Sequence, residues 1–223
     1  IGIGVQKAGT SWLAEAMNEH PDIYIHPKKE AHFFNNKKFY IDKSHYERTF
    51  KNNTEKIIGE ITPSYISEKK VPEKIYKYNP NVKLIAILRD PTERAISQYK
   101  MEMSRNIIEK NSGLWDAFIR DLPKYGPMRE RGFYKEQIDR YYKYFDENQM
   151  LILEYVELNT NPSLFIKKVF NFLEVEDSFL PSCLNTNIKH KKDIREVIKI
   201  NDKDIEKVRK YYKSYASRCR IEL

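Results

Sequence analysis

Residues 3–13 read Ile3-Gly4-Val5-Gln6-Lys7-Ala8-Gly9-Thr10-Ser11-Trp12-Leu13, and they decide the fold that we expect of this chain. The apolar run at residues 1–5 predicts a strand, and residues 10–19 predict a helix that stops before Pro21. The loop between them holds Gly, Lys, Thr and Ser. Backbone N–H groups at a helix N-terminus, together with a lysine, favour the binding of a phosphate group.

The order of residues in this loop differs from that of a Walker A loop, which reads G-x-x-x-x-G-K-[ST]. Here Lys7 stands two residues before Gly9 instead of directly after it. The loop therefore predicts phosphate binding with the mechanics of a P-loop, but not an ordinary ATP or GTP site.

The length of 223 residues suits one large domain with a sizeable core, and we expect a single domain over residues 1–223. The chain begins at Ile1 within a strand pattern, so we expect a truncated N-terminus, with an upstream signal or anchor left open. No apolar run reaches the length of a transmembrane helix. With 40% hydrophobic and 32% charged residues, the composition indicates a soluble globular protein, and we expect a cytoplasmic location.

The net charge of +8 has two readings. A polyanionic ligand, such as a nucleotide with several phosphates, an acidic glycan or a nucleic acid, would account for it, and so would a solvated lysine-rich surface. Cys183 and Cys219 form no metal-binding pattern, and one disulfide between them is left open. The five histidines are scattered without the spacing of a zinc site, so we expect no metal.

Short apolar runs alternate with amphipathic helices along the chain, which predicts an α/β fold with a central parallel sheet flanked by helices. Further strands are expected at residues 22–25, 56–60, 83–88 and 149–155. Helices are expected at residues 44–51, opened by a Ser44–Glu47 capping box, and at 72–78, 91–105, 114–120, 133–145, 162–173 and 202–217. Asp90 and Pro91 are expected at the N-cap and first position of their helix, and residues 174–192 as a long loop.

Four polar segments follow predicted strands, and ligands bind along that edge of a parallel sheet. They are residues 7–11, residues 28–34, residues 59–65, and Arg89 with Arg94 and Ser97 on the helix behind it.

Together these segments resemble the sulfotransferase family, which uses 3′-phosphoadenosine 5′-phosphosulfate (PAPS) as its donor. Residues 7–13 are similar to the family's 5′-phosphosulfate loop, K-x-G-[ST]-[ST]-x-L, and residues 88–99 to its 3′-phosphate motif, R-[ND]-P-x-x-R-x-x-S-x-[YF]. Residues 29–34 and 59–65 are similar to segments of the heparan-sulfate and bacterial branch, K-E-x-x-[FY]-F and G-E-x-[ST]-P-x-Y, and residues 132–153 also fit it. The resemblance covers residues 1–173 and implies a P-loop-kinase-like sulfotransferase fold.

The resemblance also implies a set of donor-binding residues. Lys7 is the leading catalytic candidate, because it would neutralise charge on the leaving oxygen. Thr10 or Ser11 could instead be the helix N-cap, Trp12 could belong to the core, and Arg89 could form a structural ion pair. The family closes a basic lid over the phosphates of the donor, and residues 185–192 match this lid only loosely. The K-G-x-x-Y pattern and nearby disulfide of animal N-sulfotransferases are absent from this sequence. The implied donor set is Lys7, Ala8, Gly9, Thr10, Ser11, Trp12, Arg89 and Ser97, with Lys189, Lys191 and Lys192 on a basic lid.

Glu30 is the candidate base that takes the proton of the acceptor, and His32 is its rival because other branches of the family use histidine. Lys29 is expected either to hold the sulfuryl group or to be a surface lysine. Phe33 and Phe34 are expected in the core, and Arg94 in a structural role. Thr62, Ser64, Tyr65 and Tyr134 are expected either to line a pocket or to have structural roles.

The function implied is the transfer of a sulfuryl group from PAPS to a hydroxyl or amine, without a metal and with release of adenosine 3′,5′-bisphosphate. The expected partners are PAPS and an acceptor such as a glycan, but no nucleic acid. Two alternatives stay open. A nucleotide or small-molecule kinase should show a Walker A lysine and an acidic Mg²⁺ ligand after a strand. A non-catalytic basic module for acidic glycan or nucleic acid would explain the charge, but not the two phosphate motifs.

Overall fold

The computed structural model describes residues 1–27, 29–36, 43–50, 54–109, 111–120, 128–185 and 198–219. Short 3₁₀ turns within these ranges lie at Tyr65–Ser67, Glu130–Gly132, Glu147–Gln149 and Ser182–Asn185. The strands are β1 (Gly2–Gly4), β2 (Ile23–Ile25), β3 (Ile57–Gly59), β4 (Leu84–Leu88) and β5 (Met150–Glu154). The helices are α1 (Thr10–Asn18), α2 (Lys43–Arg48), α3 (Val71–Tyr78), α4 (Pro91–Ser104), α5 (Leu114–Ile119), α6 (Tyr134–Tyr141), α7 (Tyr155–Thr160), α8 (Pro162–Leu173) and α9 (Asp202–Cys219).

The chain divides into two compact units. The first consists of Ile1–Leu88 and Gln137–Ile188, and the second of Arg89–Glu136 and Lys189–Leu223. All the strands named above belong to the first unit, whereas the described part of the second is helical. A single domain over residues 1–223 stays a prediction.

The sheet of the first unit is parallel throughout the described residues. β4 pairs with β1 on one side and with β5 on the other, and β2 pairs with β3. A parallel bridge between Gly2 and Ile61 joins the two sets, with the Gly2 N–H donating to the Glu60 carbonyl at 2.8 Å. The strand order is therefore β2-β3-β1-β4-β5, and the predicted parallel sheet with flanking helices is confirmed.

β4 lies at the centre of the buried core of the first unit. Its residues Leu84 to Ile87 are at most 3% exposed, as expected of a parallel strand that helices cover on both faces. It pairs in continuous register with β5, from Leu84 opposite Met150 to Leu88 opposite Glu154. The buried strand predicted at residues 83–88 is therefore present, and it begins at Leu84 instead of Lys83.

The second unit packs α4, α5 and α9 around its own core. Phe118 and Tyr212 lie at its centre with ring centroids 5.4 Å apart. The start of α4 is as predicted: Asp90 is the N-cap and its carboxylate accepts from the Glu93 N–H at 2.8 Å, with Pro91 at the first helical position. The buried core residues are Ala95, Tyr99, Ile108, Leu114, Ala117, Phe118, Met128, Val208 and Tyr212.

Three predictions about secondary structure are wrong. The Ser44–Glu47 capping box does not form, because α2 begins at Lys43 and Ser44 is already helical, which an N-cap residue is not. The helix predicted at residues 133–145 is shorter, since α6 ends at Tyr141. Tighter turns follow it, and in one of them the Tyr144 N–H donates to the Tyr141 carbonyl. The strand expected to reach Tyr155 ends at Glu154, and the unpredicted helix α7 follows at once.

Candidate active site

The loop between β1 and α1 carries the predicted phosphate site. Lys7 and Gly9 both have left-handed backbone conformations, with φ of 74° and 82°. Gly9 is the N-cap of α1 and its carbonyl accepts from the Leu13 N–H at 3.0 Å. The alternative that Thr10 or Ser11 is the N-cap is therefore wrong, and the first amides of α1 keep the orientation that binds an anion.

Gly9 is required by space as well as by its φ. A Cβ at this position would lie 2.5 Å from Leu158 Cδ2 and 3.2 Å from Tyr155 Cε2, closer than side-chain atoms pack. Both neighbours belong to α7, which directly follows β5. The loop between β1 and α1 thus packs against a helix that was not predicted from the sequence.

The other residues of the loop divide between core and surface. Ala8 is fully buried, Thr10 and Trp12 are each 6% exposed, and Ser11 is exposed. The Trp12 indole N–H donates to the Cys183 carbonyl at 3.4 Å, and its ring meets Phe165 edge to face. These contacts favour the core role for Trp12, whereas Lys7, Gly9 and Ser11 have accessible surface.

A second loop, residues 29–36, follows β2 at the same edge of the sheet. Glu30 lies between a histidine and a lysine: its Oε2 is 3.4 Å from His32 Nε2 and its Oε1 is 3.5 Å from Lys29 Nζ. Glu30 and His32 both have left-handed backbone conformations, with φ of 69° and 55°. Such conformations are uncommon for residues other than glycine and concentrate at functional sites.

The charges of this cluster stabilise one another. The hydrogen bond with His32 lowers the pKa of Glu30 below its ordinary value of 4.5, with a further contribution from Lys29, although partial burial opposes the shift. The same hydrogen bond raises the pKa of His32 above its ordinary value of 6.5. Both side chains are partly exposed, so solvent moderates the interaction.

Both ring nitrogens of His32 face oxygen atoms. Nε2 faces Glu30, and Nδ1 lies 3.3 Å from Asn35 Oδ1. The amide of Asn35 is oriented by Ser64, because Asn35 Nδ2 donates to Ser64 Oγ at 3.1 Å. Two acceptors around one imidazole are matched by two ring protons, so the geometry favours the imidazolium.

The segment after β3 packs beneath this loop. Thr62 and Tyr65 are fully buried, and their hydroxyls accept from the His32 N–H at 3.3 Å and the Phe34 N–H at 3.1 Å. This favours the structural role over a pocket-lining one for both residues. Phe33 and Phe34 are buried among aromatic rings, as predicted, with Phe33 stacked on Tyr46 at 4.0 Å.

Two residues of this region, Asn35 and Glu60, were not among the site residues predicted from the sequence. Glu60 is 1% exposed and accepts hydrogen bonds from buried hydroxyl groups. The available signal was its place as the acidic residue of the G-E-x-[ST]-P-x-Y segment at residues 59–65. A buried carboxylate requires polar partners, and the hydroxyl residues of this segment supply two of them. Nothing in the sequence marks Asn35 as a partner of His32.

Arg89 and Ser97 belong to the second unit. The Arg89 side chain is 20% exposed, and its guanidinium lies 3.7 Å from the Glu93 carboxylate. The backbone carbonyl of Arg89 accepts from the Tyr134 hydroxyl at 2.8 Å. Ser97 is partly buried, about two turns into α4. The ion pair predicted as the structural alternative for Arg89 therefore exists, but the half-exposed Glu93 could yield to a stronger anion such as a phosphate.

Arg94 has the structural role predicted for it. It is fully buried on α4, where its guanidinium donates to the Gln98 side chain at 2.6 Å and to the Met128 carbonyl at 2.5 Å. Gln98 in turn donates to Glu102 at 2.7 Å. These hydrogen bonds tie α4 to the Met128 backbone within the second unit.

Several predicted features fall outside the described residues. The lid lysines Lys189, Lys191 and Lys192 lie there, and so does the side chain of Cys219, whereas Cys183 is buried. Where the structure describes the chain, no three His, Cys, Asp or Glu side chains are grouped as a metal would require. Over the same residues, no helix is both long and apolar enough to cross a membrane.

Comparison with known proteins decides the family. A family model described as "Sulfotransferase domain" matches residues 1–221. The chain belongs to the sulfotransferase family. The family predicted from the two phosphate motifs is therefore confirmed.

Individual sulfotransferases are similar to different extents. Mouse heparan sulfate glucosamine 3-O-sulfotransferase 5 is 31% identical over 195 residues, which cover 78% of this chain and 53% of that protein. The chain thus spans about half the length of this curated relative and of its human counterpart.

Solved structures of sulfotransferases share the fold. A sulfotransferase from Alicyclobacillus acidocaldarius superposes with a TM-score of 0.80 at 22% identity, covering 99% of this chain and 95% of that one. Retinol dehydratase, solved with androsterone and the inactive cofactor PAP, has a TM-score of 0.54 at 15% identity, covering 96% and 79%. These likenesses confirm the predicted sulfotransferase fold.

Proposed function

We propose that this protein transfers a sulfuryl group from PAPS to a hydroxyl or amine of an acceptor and releases adenosine 3′,5′-bisphosphate. The observation that carries the proposal is the Glu30–His32 pair, 3.4 Å apart, at the same sheet edge as the phosphate loop of Lys7 and Gly9. One loop can hold the anionic end of a donor, and the other can take a proton from an acceptor. Membership of the sulfotransferase family and the PAP in the retinol dehydratase structure support this choice of donor.

Glu30 takes the proton of the attacking group in this proposal. The acceptor oxygen or nitrogen forms a bond to sulfur, the bond from sulfur to the bridging oxygen of the donor breaks, and the acceptor proton moves to a Glu30 carboxylate oxygen. Because the pKa of Glu30 is lowered, this carboxylate is ionised and ready to act near neutral pH. The geometry favours protonated His32, which has no free ring nitrogen to serve as the base, so we prefer Glu30 to its rival.

Lys7 and the first amides of α1 stabilise the leaving group. As the bond from sulfur breaks, negative charge grows on the 5′-phosphate, and a lysine beside helix N–H groups neutralises it without a metal. The left-handed conformations of Lys7 and Gly9 support this assignment, because they turn the loop at the start of the helix.

Arg89 and Ser97 are assigned to the 3′-phosphate of the donor from their match to the family motif. The guanidinium forms a planar fork that suits two phosphate oxygens. Glu93 at 3.7 Å would then have to release Arg89 on donor binding. Donor contact by Lys189, Lys191 or Lys192 stays a prediction.

The proposed acceptor is a glycan. The support is the similarity to heparan sulfate glucosamine 3-O-sulfotransferase 5, whose printed name states a glycan substrate. A net charge of +8 is compatible with an acidic chain. A cytoplasmic location also stays a prediction, which fractionation of the source cells would check.

The test combines ligand binding with turnover. Adenosine 3′,5′-bisphosphate should raise the melting temperature, whereas ATP with Mg²⁺ or an oligonucleotide should not. Transfer from donor labelled with ³⁵S should then be screened across glycan, lipid and phenolic acceptors. Stabilisation by ATP with Mg²⁺ alone would favour a kinase, and binding without any transfer would favour a non-catalytic module.

Lys7→Ala tests the mechanism within the same assay. We expect kcat to fall by about a hundredfold or more, because charge on the leaving oxygen would lose its stabilising cation. Ala and Lys carry similar strain at a φ of 74°, so the melting temperature should change little. Lys77→Ala, on the exposed face of α3, is the matched control. Full transfer activity in the Lys7→Ala protein would contradict the proposed role of Lys7 in stabilising the leaving group.

A further inference from the structure

Two hydroxyl groups hold the loop that carries Glu30 and His32. The His32 N–H donates to Thr62 Oγ1 at 3.3 Å, and the Phe34 N–H donates to Tyr65 Oη at 3.1 Å. The loop requires such support, because Glu30 and His32 have φ values of 69° and 55°, which are unfavourable for residues with a side chain.

Glu60 sets the direction of both hydrogen bonds. Thr62 Oγ1 donates its proton to Glu60 Oε2 at 2.8 Å, and Tyr65 Oη donates its proton to Oε1 at 3.0 Å. A hydroxyl has a single proton, so a hydroxyl that donates to Glu60 presents lone pairs to its other neighbours. The neighbours here are the backbone N–H groups of the loop.

We propose that Glu60 is a positioning residue for sulfuryl transfer: it orients the Thr62 and Tyr65 hydroxyls as acceptors, and these keep the loop in the conformation that pairs His32 with Glu30. Glu60 is 1% exposed and acts through these hydroxyls. The catalytic role of the Glu30–His32 pair rests on the proposed function. The hydrogen-bond relay, which runs from the loop N–H groups through the Thr62 and Tyr65 hydroxyls to Glu60, can be tested without it.

Tyr46 provides the matched control for mere packing around Glu60. Its hydroxyl donates to the same Glu60 Oε1 at 2.9 Å, and the residue is buried. Tyr46→Phe removes a hydrogen bond of the same kind from the same carboxyl oxygen and keeps the ring that stacks on Phe33. The Thr62 and Tyr65 acceptors of the loop stay in place.

Turnover separates positioning from packing. We expect Thr62→Val, Tyr65→Phe and Glu60→Gln each to lower kcat by about tenfold to a hundredfold, because small displacements of a catalytic group are costly, with adenosine 3′,5′-bisphosphate binding unchanged. Tyr46→Phe should keep kcat within about twofold. Thr62→Ser keeps the hydroxyl and loses only a methyl group, so it should recover most of the activity that Thr62→Val loses.

A second readout does not depend on activity. Titration of the His32 ring, followed by NMR, reports its pairing with Glu30. Lys29 lies beside Glu30, and Asn35 and Glu60 also raise the pKa of the His32 ring. Thr62→Val should move the His32 pKa back toward 6.5 because the pair separates, and Tyr46→Phe should leave it in place. Thr62→Val is the diagnostic variant, since Glu60→Gln also removes a charge that acts on His32 directly.

The outcomes are distinct. Wild-type kcat and wild-type His32 titration in Thr62→Val would overturn the proposal, and so would a loss in Tyr46→Phe equal to that in Thr62→Val. If Glu60→Gln fails to fold, the Thr62→Val and Thr62→Ser pair still decides. If the wild-type protein transfers no sulfuryl group, the proposed function fails, but the titration still tests the relay.

Discussion

At the residue scale, Glu30 and His32 combine two requirements that oppose each other. As the proposed base, Glu30 must accept a proton during the reaction, yet its hydrogen bond with His32 lowers its pKa and hence its proton affinity. The partial exposure of the pair keeps this opposition moderate, since solvent screens the charges.

Glu30→Gln should lower kcat by about a hundredfold or more, because general base catalysis contributes at least that much. In the wild type, kcat should fall on the acid side only below pH 4.5. The pKa of Glu30 is lowered from that value, so the carboxylate stays ionised above it. The measurement is a pH profile of kcat for both proteins. Normal turnover in Glu30→Gln would move the base to His32 or elsewhere.

The pairing also gives a direction to stability. The folded-state pKa of His32 is raised above 6.5, so the stability that its pairing contributes is fully present below pH 6.5 and is lost as pH rises through the folded-state pKa. Melting temperatures of wild type and His32→Asn should therefore differ more at pH 6 than at pH 9. A constant difference would mean that the imidazolium makes no net contribution.

These residue-scale features show where sequence reasoning ends. The motif predicted that Glu30 and His32 lie in one loop. Their left-handed backbone conformations could not be predicted, because Glu and His rarely adopt them. The same holds for Glu60, whose hydroxyl partners come from α2 and from the segment after β3. Which donors meet a buried carboxylate depends on tertiary packing, not on local pattern.

At the scale of elements, the sequence predicts best where local chemistry and burial agree. β4 is apolar throughout, and Asp90-Pro91 opens α4 with a cap and a preset φ, so the end of β4 and the start of α4 were predictable. α7 begins with Tyr155 and Val156, which favour strands, and no Gly or Pro separates it from β5. There, packing overrides local preference.

The cap of α4 has a measurable contribution. Asp90→Ala should lower the free energy of unfolding by about 1 kcal/mol, because the Glu93 N–H loses its acceptor. Asp90→Asn keeps a capping oxygen and should stay close to wild type. Urea titration followed by circular dichroism measures both, and equal losses in the two variants would point to the charge of Asp90 instead.

The phosphate loop has a sharper requirement. Gly9→Ala should destabilise the protein by about 2 kcal/mol, through backbone strain at a φ of 82° and overlap with Leu158. Gly59→Ala is the control, since its Cβ would meet Ile25 Cδ1 at an ordinary 3.8 Å. The same urea titration compares the two, and similar losses would contradict the account given for Gly9.

At the scale of the whole molecule, net charge governs encounter with substrate more than folding. With a net charge of +8, the protein should attract an acidic glycan over distances that salt screens. KM for an acidic glycan should therefore rise several-fold between low salt and about 0.5 M, well beyond the 0.1 M at which the Debye length is about 10 Å. KM for a neutral acceptor is the control, and equal salt dependence would show that the charge is a solvated surface.

The contact between Gly9 and α7 defines a case for second-site suppression. Leu158→Ala alone should leave a void under the phosphate loop, yet in a Gly9→Ala background it would give room to the methyl group that otherwise overlaps Leu158 Cδ2. Any recovery in the double variant measures the steric part, and the remaining deficit measures the left-handed backbone. The helix after β5 therefore constrains which residues a lineage can accept in the loop after β1.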